Sequence, residues 1–295
     1  MSRLSEGVGK KFVLTGEIAP PKGPNPEKFL HEIEELKPIL KKLSGINVVD
    51  NPGSILLMSS LGGSIMLKQR GIEPIFQLTC RDRNVLAIQA DLLSAAAFGI
   101  ENVLALTGDH PRCKSSDHPN AKPVFELDSC SLITTIKRTN SGFDIAGNRL
   151  NAKTNFFIGA ALAPAVNPIE PEIYKTKKKL NAGAEFFQTQ AVFESCVMED
   201  FLEDAKPLLG DIRKRVLIGI VLLHDYEMLK FLRTIPGVII LDKTADRIKE
   251  APKPADEGVN ICLELIDRIR EFGFGGAHIM AGGKTESLVK LLEKI

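Results

Sequence analysis

Asn102-Val-Leu-Ala-Leu-Thr-Gly-Asp109-His-Pro111 is an apolar run that breaks into Thr-Gly-Asp and is then barred from regular structure by proline. Val103 to Leu106 has the length and uniform apolarity of a strand buried on both faces of a parallel sheet. Such a strand places Asp109 at its C-terminal rim. Taken alone, the decapeptide equally describes a turn-forming Asp after Gly. What decides between the two is that other apolar runs in the chain end in the same manner.

Phe12 to Pro20 reads as a strand that leaves Glu17 near its end, and Asn25-Pro-Glu opens a helix reaching about Leu43. Gly45-Ile-Asn-Val-Val-Asp50-Asn-Pro is a second short strand, followed by a helix over Ser59 to Arg70 that Gly71 stops. Glu73 to Cys80 is the third strand and Asn84 to Phe98 its helix. After the fourth strand, the long polar loop from Gly108 to about Glu126 precedes a helix over Leu127 to Arg138, with Asp128 or Ser129 as cap. Phe156–Pro164, Glu185–Phe193 and Val216–Leu223 continue the strands, with helices at Glu170–Asn181, Val197–Leu209 and from Asp225. Gln188 and Gln190 share one strand face by the period of two, and two amides on a buried face need polar partners. Both Gly237–Leu241 and Gly276–Gly282 look strand-like. The later run is taken as the eighth strand, because the earlier would make nine. Helices over Asp256–Phe272 and Thr285–Lys294 complete the chain.

Eight strand–helix alternations in 295 residues specify a (β/α)8 TIM barrel, an α/β fold, as a single domain over 1–295. Active sites of this fold lie at the C-terminal strand ends. Glu17, Asp50, Thr79, Asp109, Gln190, His224 and His278 are expected to converge there from distant parts of the chain.

Composition narrows the function. With 38 basic and 37 acidic residues there is no bulk charge to hold nucleic acid or an anionic membrane, and no apolar run has the length of a membrane span. The N-terminus lacks an apolar leader, so a cytoplasmic protein is expected. Five scattered cysteines form no CxxC and no zinc spacing. Cys113 sits in a loop with His110 and His118, too loosely spaced to define a metal site, and none is expected. No Gly-x-Gly-x-x-Gly follows a strand, which argues against a Rossmann dinucleotide fold.

Four fragments, in order and each at a strand end, give the chain its resemblance to the methylenetetrahydrofolate reductase family. Gly16-Glu17-Ile-Ala-Pro-Pro21 is similar to that family's Phe-Glu-hydrophobic-x-Pro-Pro, and Gln77-Leu-Thr-Cys80 to its His-Leu-Thr-Cys. Leu106-Thr-Gly-Asp109-x-Pro111 resembles Leu-Arg-Gly-Asp-x-Pro, and Ala182-Gly-Ala-Glu-Phe-Phe-Gln-Thr-Gln190 resembles Ala-Gly-Ala-x-x-x-x-Thr-Gln.

The resemblance implies FAD at the barrel mouth and a tetrahydrofolate stacked on its ring, in the one-carbon metabolism that feeds methionine biosynthesis. Hydride passes from flavin N5 to the methylene carbon of 5,10-methylenetetrahydrofolate once N10 is protonated and the five-membered ring opens to an iminium cation. Glu17 matches the general acid, a role that suits a partly buried carboxyl group. Asp109 matches the aspartate beside flavin and pterin, where a fixed anion favours the cation. Gln190 matches the pterin-binding glutamine. Thr79, Gln77, Thr107, Gly108, Asp109, Asn167, Glu172 and Lys179 fall at the flavin-binding positions.

The chain departs from the family pattern at three flavin contacts. Thr107 stands for Arg, Gln77 for His, and Ala163-Pro-Ala-Val-Asn167-Pro replaces Tyr-Pro-Glu-x-His-Pro. The electron donor is expected to be NAD(P)H or a protein partner, and the chain to work as a homo- or hetero-oligomer. Two other readings stay open. One is a flavin- or pterin-binding electron-transfer subunit of a larger complex; the other is a pterin-dependent methyltransferase barrel.

Overall fold

In the computed structural model, which describes residues 1–235 and 237–295, eight parallel strands close in sequence order into a barrel. The strands are β1 Val13–Ile18, β2 Gly45–Val48, β3 Pro74–Thr79, β4 Asn102–Leu106, β5 Phe157–Leu162, β6 Phe186–Ala191, β7 Val216–Val221 and β8 Gly276–Met280. Helices α1 Arg3–Gly7, α2 Glu27–Leu36, α3 Ser60–Lys68, α4 Val85–Ala97, α5 Ser129–Asn140 and α6 Glu170–Ala182 accompany the first half. The second half carries α7 Ser195–Leu209, α8 Tyr226–Leu232, α9 Asp242–Glu250, α10 Pro254–Glu271 and α11 Thr285–Lys294. The (β/α)8 barrel expected from the strand–helix alternation is the observed fold. No described helix is long and apolar enough to cross a membrane.

Helix starts follow their capping residues. Asn84 accepts from the Ala87 amide and Asp225 from that of Met228, each capping one orphan donor. Asp128 and Ser131 form a reciprocal capping box at α5. At α2 the cap position is Pro26 rather than Asn25, so the proline precedes the first helical residue, and Asn25 accepts from the Glu27 amide at 2.9 Å one position earlier.

The eighth strand is the later of the two strand-like runs, as expected, and Gly237–Leu241 carries none. Two helices lie outside the sequence expectation. Gly237–Leu241 leads into the first, α9, a short helix whose single buried stripe of Thr244, Ala245 and Ile248 is too sparse to stand out in the sequence. The N-terminal α1 also escaped the pattern, being only five residues long. It closes the barrel floor: Leu4, wholly buried, packs with Val13, Ile75, Leu104, Phe186 and Leu217. Ser2 Oγ donates to Asn102 Oδ1 at 2.6 Å and fastens the helix to β4.

Period-two alternation sorts the strands into two cores. Leu14, Ile46, Phe76, Val103, Ile158, Phe187, Ile218 and Ala277 face the helices, while the floor residues just named face inward. Gly159 is required by the inner packing: a Cβ there would fall 2.2 Å from the Phe186 ring, which stacks on Phe157 with centroids 5.0 Å apart. One step up each strand the interior turns polar, with Thr15, Asn47, Gln188 and His278 all buried. The step above that is the mouth.

Replacing Leu4 by Ala should cost about 2–5 kcal/mol through lost burial and the void left in the floor. Urea melts followed by circular dichroism should show the lower midpoint with an unchanged native spectrum, whereas an unchanged midpoint would mean that α1 does not seal the floor.

Candidate active site

Above the apolar floor, the interior polar residues form a connected chain. Asn47 Nδ2 donates to Gln188 Oε1 at 2.7 Å, and Gln188 Nε2 donates back to Asn47 Oδ1 at 3.1 Å and onward to Thr15 Oγ1 at 3.4 Å. Thr15 Oγ1 lies 3.0 Å from His278 Nδ1, and His278 Nε2 lies 3.5 Å from Glu17 Oε2. An amide nitrogen only donates, so the Thr15 oxygen accepts there and its single proton is free for His278 Nδ1. The remaining ring proton then sits on Nε2, directed at Glu17. Gln77 Nε2 donates to the same oxygen at 3.4 Å. Glu17 Oε2 thus accepts from Gln77 and lies beside His278, while among the described residues Oε1 has no hydrogen-bond partner.

Two cavities meet the mouth. One of about 430 Å³ opens beside Glu17 against Pro20, Pro21, Gly282 and Lys284. The other, about 320 Å³, is walled by Gln77, Thr79, Thr107, Gly108, Asp109, Lys179 and Gln190. Pro52, on the turn after β2, stands in the wall of both. The Gly53 amide on that turn donates to Asp109 Oδ2 at 2.9 Å, so the turn orients the exposed carboxylate.

The residues expected to converge fall into three groups. Glu17, Gln77, Thr79, Thr107, Gly108, Asp109, Lys179 and Gln190 all line the mouth. Gln190 reaches it from a bulge in β6, where the register with β7 shifts and Thr189 Oγ1 accepts from the Gly219 amide at 2.8 Å. Gln188 stays below, inside the barrel, so the two amides serve different levels.

Asp50 also stands in the wall of the second cavity but its carboxylate is bonded within the rim, and His224 lies outside both cavity walls. The Asp50 carboxylate has no exposed side-chain surface; it accepts from the Thr79 amide and hydroxyl and is paired with Arg83 at 2.7 Å. His224 Nε2 sits 2.9 Å from the Ala281 carbonyl and fastens β7 to the turn after β8. Neither supplies a free group to the mouth. Asn167 lies exposed on the connection into α6, preceding a cis proline and outside the walls of both cavities.

Cys80-Arg81-Asp82-Arg83 was missed as a rim element. Arg81 is almost wholly buried and donates to the Asn51 carbonyl at 3.1 Å and to both Asp82 oxygens, tying the turns after β2 and β3 together. A basic residue directly after a fully buried strand, flanked by acids, was the available signal. Asn47 carried one too, as a lone amide within an apolar run. Burial pushes the Cys80 thiol up to about 12, so it is held neutral. Cys113 instead points its Sγ at the Gly53 carbonyl, 3.2 Å away.

The second cavity collects cationic and amide donors. Lys175, Lys179 and Ser129, the first residue of α5, stand in its wall. Burial lowers the pKa of Lys179, and Glu172 at 3.6 Å opposes that shift. Lys179 Nζ also donates to the Ala161 carbonyl at 2.5 Å, and Glu172 Oε1 accepts from the Ala163 amide at 3.2 Å. Lysines beside a helix N-terminus form a donor set that suits a diphosphate, and a cavity of this size admits a fused ring. The residues present therefore fit a diphosphate-bearing flavin.

A family model described as methylenetetrahydrofolate reductase matches residues 3–295. The Caenorhabditis elegans protein named "Probable methylenetetrahydrofolate reductase (NADPH)" is 24% identical over 83% of this chain and 35% of its own length. Methylenetetrahydrofolate reductase (NADH) 1 of Arabidopsis thaliana is 25% identical over 75% of this chain and 38% of its own. The chain thus spans little more than a third of these curated relatives. Among solved structures, a Clostridium thermocellum protein described as binding two copies of 5-methyl-5,6,7,8-tetrahydrofolic acid superposes with a TM-score of 0.67. That match is 15% identical and covers 99% of this chain and 97% of the other, a likeness of fold.

Asp50→Asn should destabilise the protein by about 1–3 kcal/mol, because it removes the charged acceptor of Arg83 and of Thr79 and leaves Arg83 with Asp91 alone. Denaturant melts at pH 7 check this; a change below about 0.5 kcal/mol would show that the Asp50–Arg83 pair does not hold the β2–β3 rim.

Proposed function

The chain belongs to the methylenetetrahydrofolate reductase family, and from that premise we propose that it reduces 5,10-methylenetetrahydrofolate to 5-methyltetrahydrofolate with bound FAD. The observation that carries this reading is Glu17 at the mouth, its Oε2 held between Gln77 and His278. FAD, when bound, supplies the hydride-donating chemistry, with Lys179, Thr107, Gly108 and Gln77 as the residues that would hold it.

Glu17 delivers its proton to N10 of the folate from Oε1, the oxygen that the barrel wall leaves free. Protonation makes N10 a leaving group, and the five-membered ring opens to an iminium cation at the methylene carbon. Asp109, oriented by the Gly53 amide, sets a fixed negative charge beside that cation. Gln190, at the rim, offers an amide that both donates to and accepts from the pterin edge. The same pterin chemistry suits the folate named in the description of the Clostridium thermocellum structure.

The names of the relatives cite NADPH in one case and NADH in another, and an electron-donor protein is a third source of reducing equivalents. A donor screen on the purified protein separates them. A yellow protein bleached by a donor and recoloured by methylenetetrahydrofolate is the expected result. A colourless protein that binds pterin would replace this reading with a methyltransferase barrel, and turnover only with an added partner chain would assign an electron-transfer subunit.

Glu17→Gln should abolish folate reduction while leaving the flavin bound and reducible by dithionite; folate reduction at the original rate would remove Glu17 as the acid. Asp109→Asn should slow the folate half-reaction roughly 10²-fold in stopped-flow traces. Equal rates in both proteins would dismiss the electrostatic role.

A further inference from the structure

We propose that the adenosine half of FAD leaves the mouth over Thr107 and Gly108 and stacks on Phe125 and His110 in a neighbouring cavity. The assignment rests on the reading of this chain as an FAD enzyme. The cavity that gathers the flavin donors, about 320 Å³, is at the small end of ligand sites, and FAD carries a second ring system beyond its diphosphate. Thr107 and Gly108 form the wall shared by that cavity and a third one of about 610 Å³, which Phe125, His110, Glu126 and Asp128 also line. Asn167 stands outside this cavity as it does outside the other two.

The third cavity has an aromatic wall. The Phe125 and His110 rings stack with centroids 6.2 Å apart and planes 26° from parallel. His110 Nδ1 accepts from the Arg112 amide at 3.1 Å, which fixes that ring. Among the described residues Phe125 joins no apolar cluster of the core, whereas Leu127, two positions on, packs against it. The φ of Phe125, 43°, is one that a bulky side chain rarely adopts. Its neighbours hold it there: the Val124 amide donates to the Arg81 carbonyl at 2.7 Å, and Glu126 Oε2 accepts from the Val85 amide at 2.8 Å. An aromatic ring kept out of the core in an unfavourable backbone conformation points to a partner from outside the chain.

Charge divides the two cavities as it divides the cofactor. Lys175 and Lys179 stand in the smaller one and suit the diphosphate, while no lysine or arginine lines the third. The charged groups there are Glu126 and Asp128, which repel a phosphate but accept from the hydroxyls of a ribose or the amino group of adenine. Glu126 spends Oε2 on Val85, and its Oε1 has no hydrogen-bond partner among the described residues. Between the cavities Thr107 has its Oγ1 drawn onto the Ser129 amide at 3.2 Å, so a short side chain, rather than the arginine of the family pattern, borders the passage.

Isothermal titration of the flavin-free full chain with FAD, and with FMN, which lacks the adenosine, tests this. The wild type should bind FAD more tightly than FMN. Phe125→Ala should raise the FAD dissociation constant roughly 10–100-fold, the loss of one base–aromatic stack, and leave that of FMN unchanged. His110→Ala should weaken FAD alone, by a smaller factor. Phe125→Tyr, which keeps the ring, should bind FAD as the wild type does. A Phe125→Ala variant that binds FAD normally, or one that loses FAD and FMN in equal measure, would overturn the proposal and leave the reading of the chain as a flavoenzyme standing. A wild type that takes up neither flavin would overturn that reading, and the proposal with it.

Discussion

A buried amide cannot be left half-satisfied, and that constraint organises this barrel. Asn47 and Gln188 face each other across the interior from β2 and β6 and exchange both of their hydrogen bonds. The one amide proton left over is spent on Thr15. From there Thr15 gives to His278 Nδ1, which leaves the ring proton on Nε2, 3.5 Å from Glu17 Oε2. A layer that closes the core thus also fixes the tautomer of a histidine and the orientation of a carboxylate. Removing one member would leave its neighbours as uncompensated polar groups, at about 1–3 kcal/mol each.

Around that axis the rim divides its labour. One set of residues holds the turns: Asp50 with Arg83 and Thr79, Arg81 with the carbonyl of Asn51, and His224 with Ala281. The other set, Glu17, Asp109 and Gln190, keeps its polar atoms turned to the mouth. Rigidity from the first set is what gives the second a defined geometry before anything binds, which lowers the reorganisation that a charged intermediate would demand.

The sequence disclosed the barrel because each buried strand is a run of apolar residues punctuated at its mouth end, and because glycine, asparagine and aspartate mark the turns and caps. It placed Glu17, Asp109 and Gln190 at the mouth because each stands at or just past the C-terminal end of a buried strand. It did not separate Asp50 from them, since an ion pair with Arg83 across two turns leaves no periodic trace. His224 went astray for the same reason, its partner being a backbone carbonyl. The short helices α1 and α9 were invisible to periodicity, one having too few residues to show a stripe and the other a stripe of small side chains. Gly237–Leu241 shows the use of counting: its apolar and β-branched residues look like a strand, and the limit of eight gave the last place to Gly276–Met280 instead.

Leu4 and its helix stopper the lower end of the barrel. A tube stoppered at one end has a single doorway, so ions, water and every reactant reach the Glu17 carboxyl by the same passage. Whatever molecule lies across that passage also decides whether the carboxyl trades hydrogen with the bulk solvent, which makes occupancy and proton exchange one event in this chain.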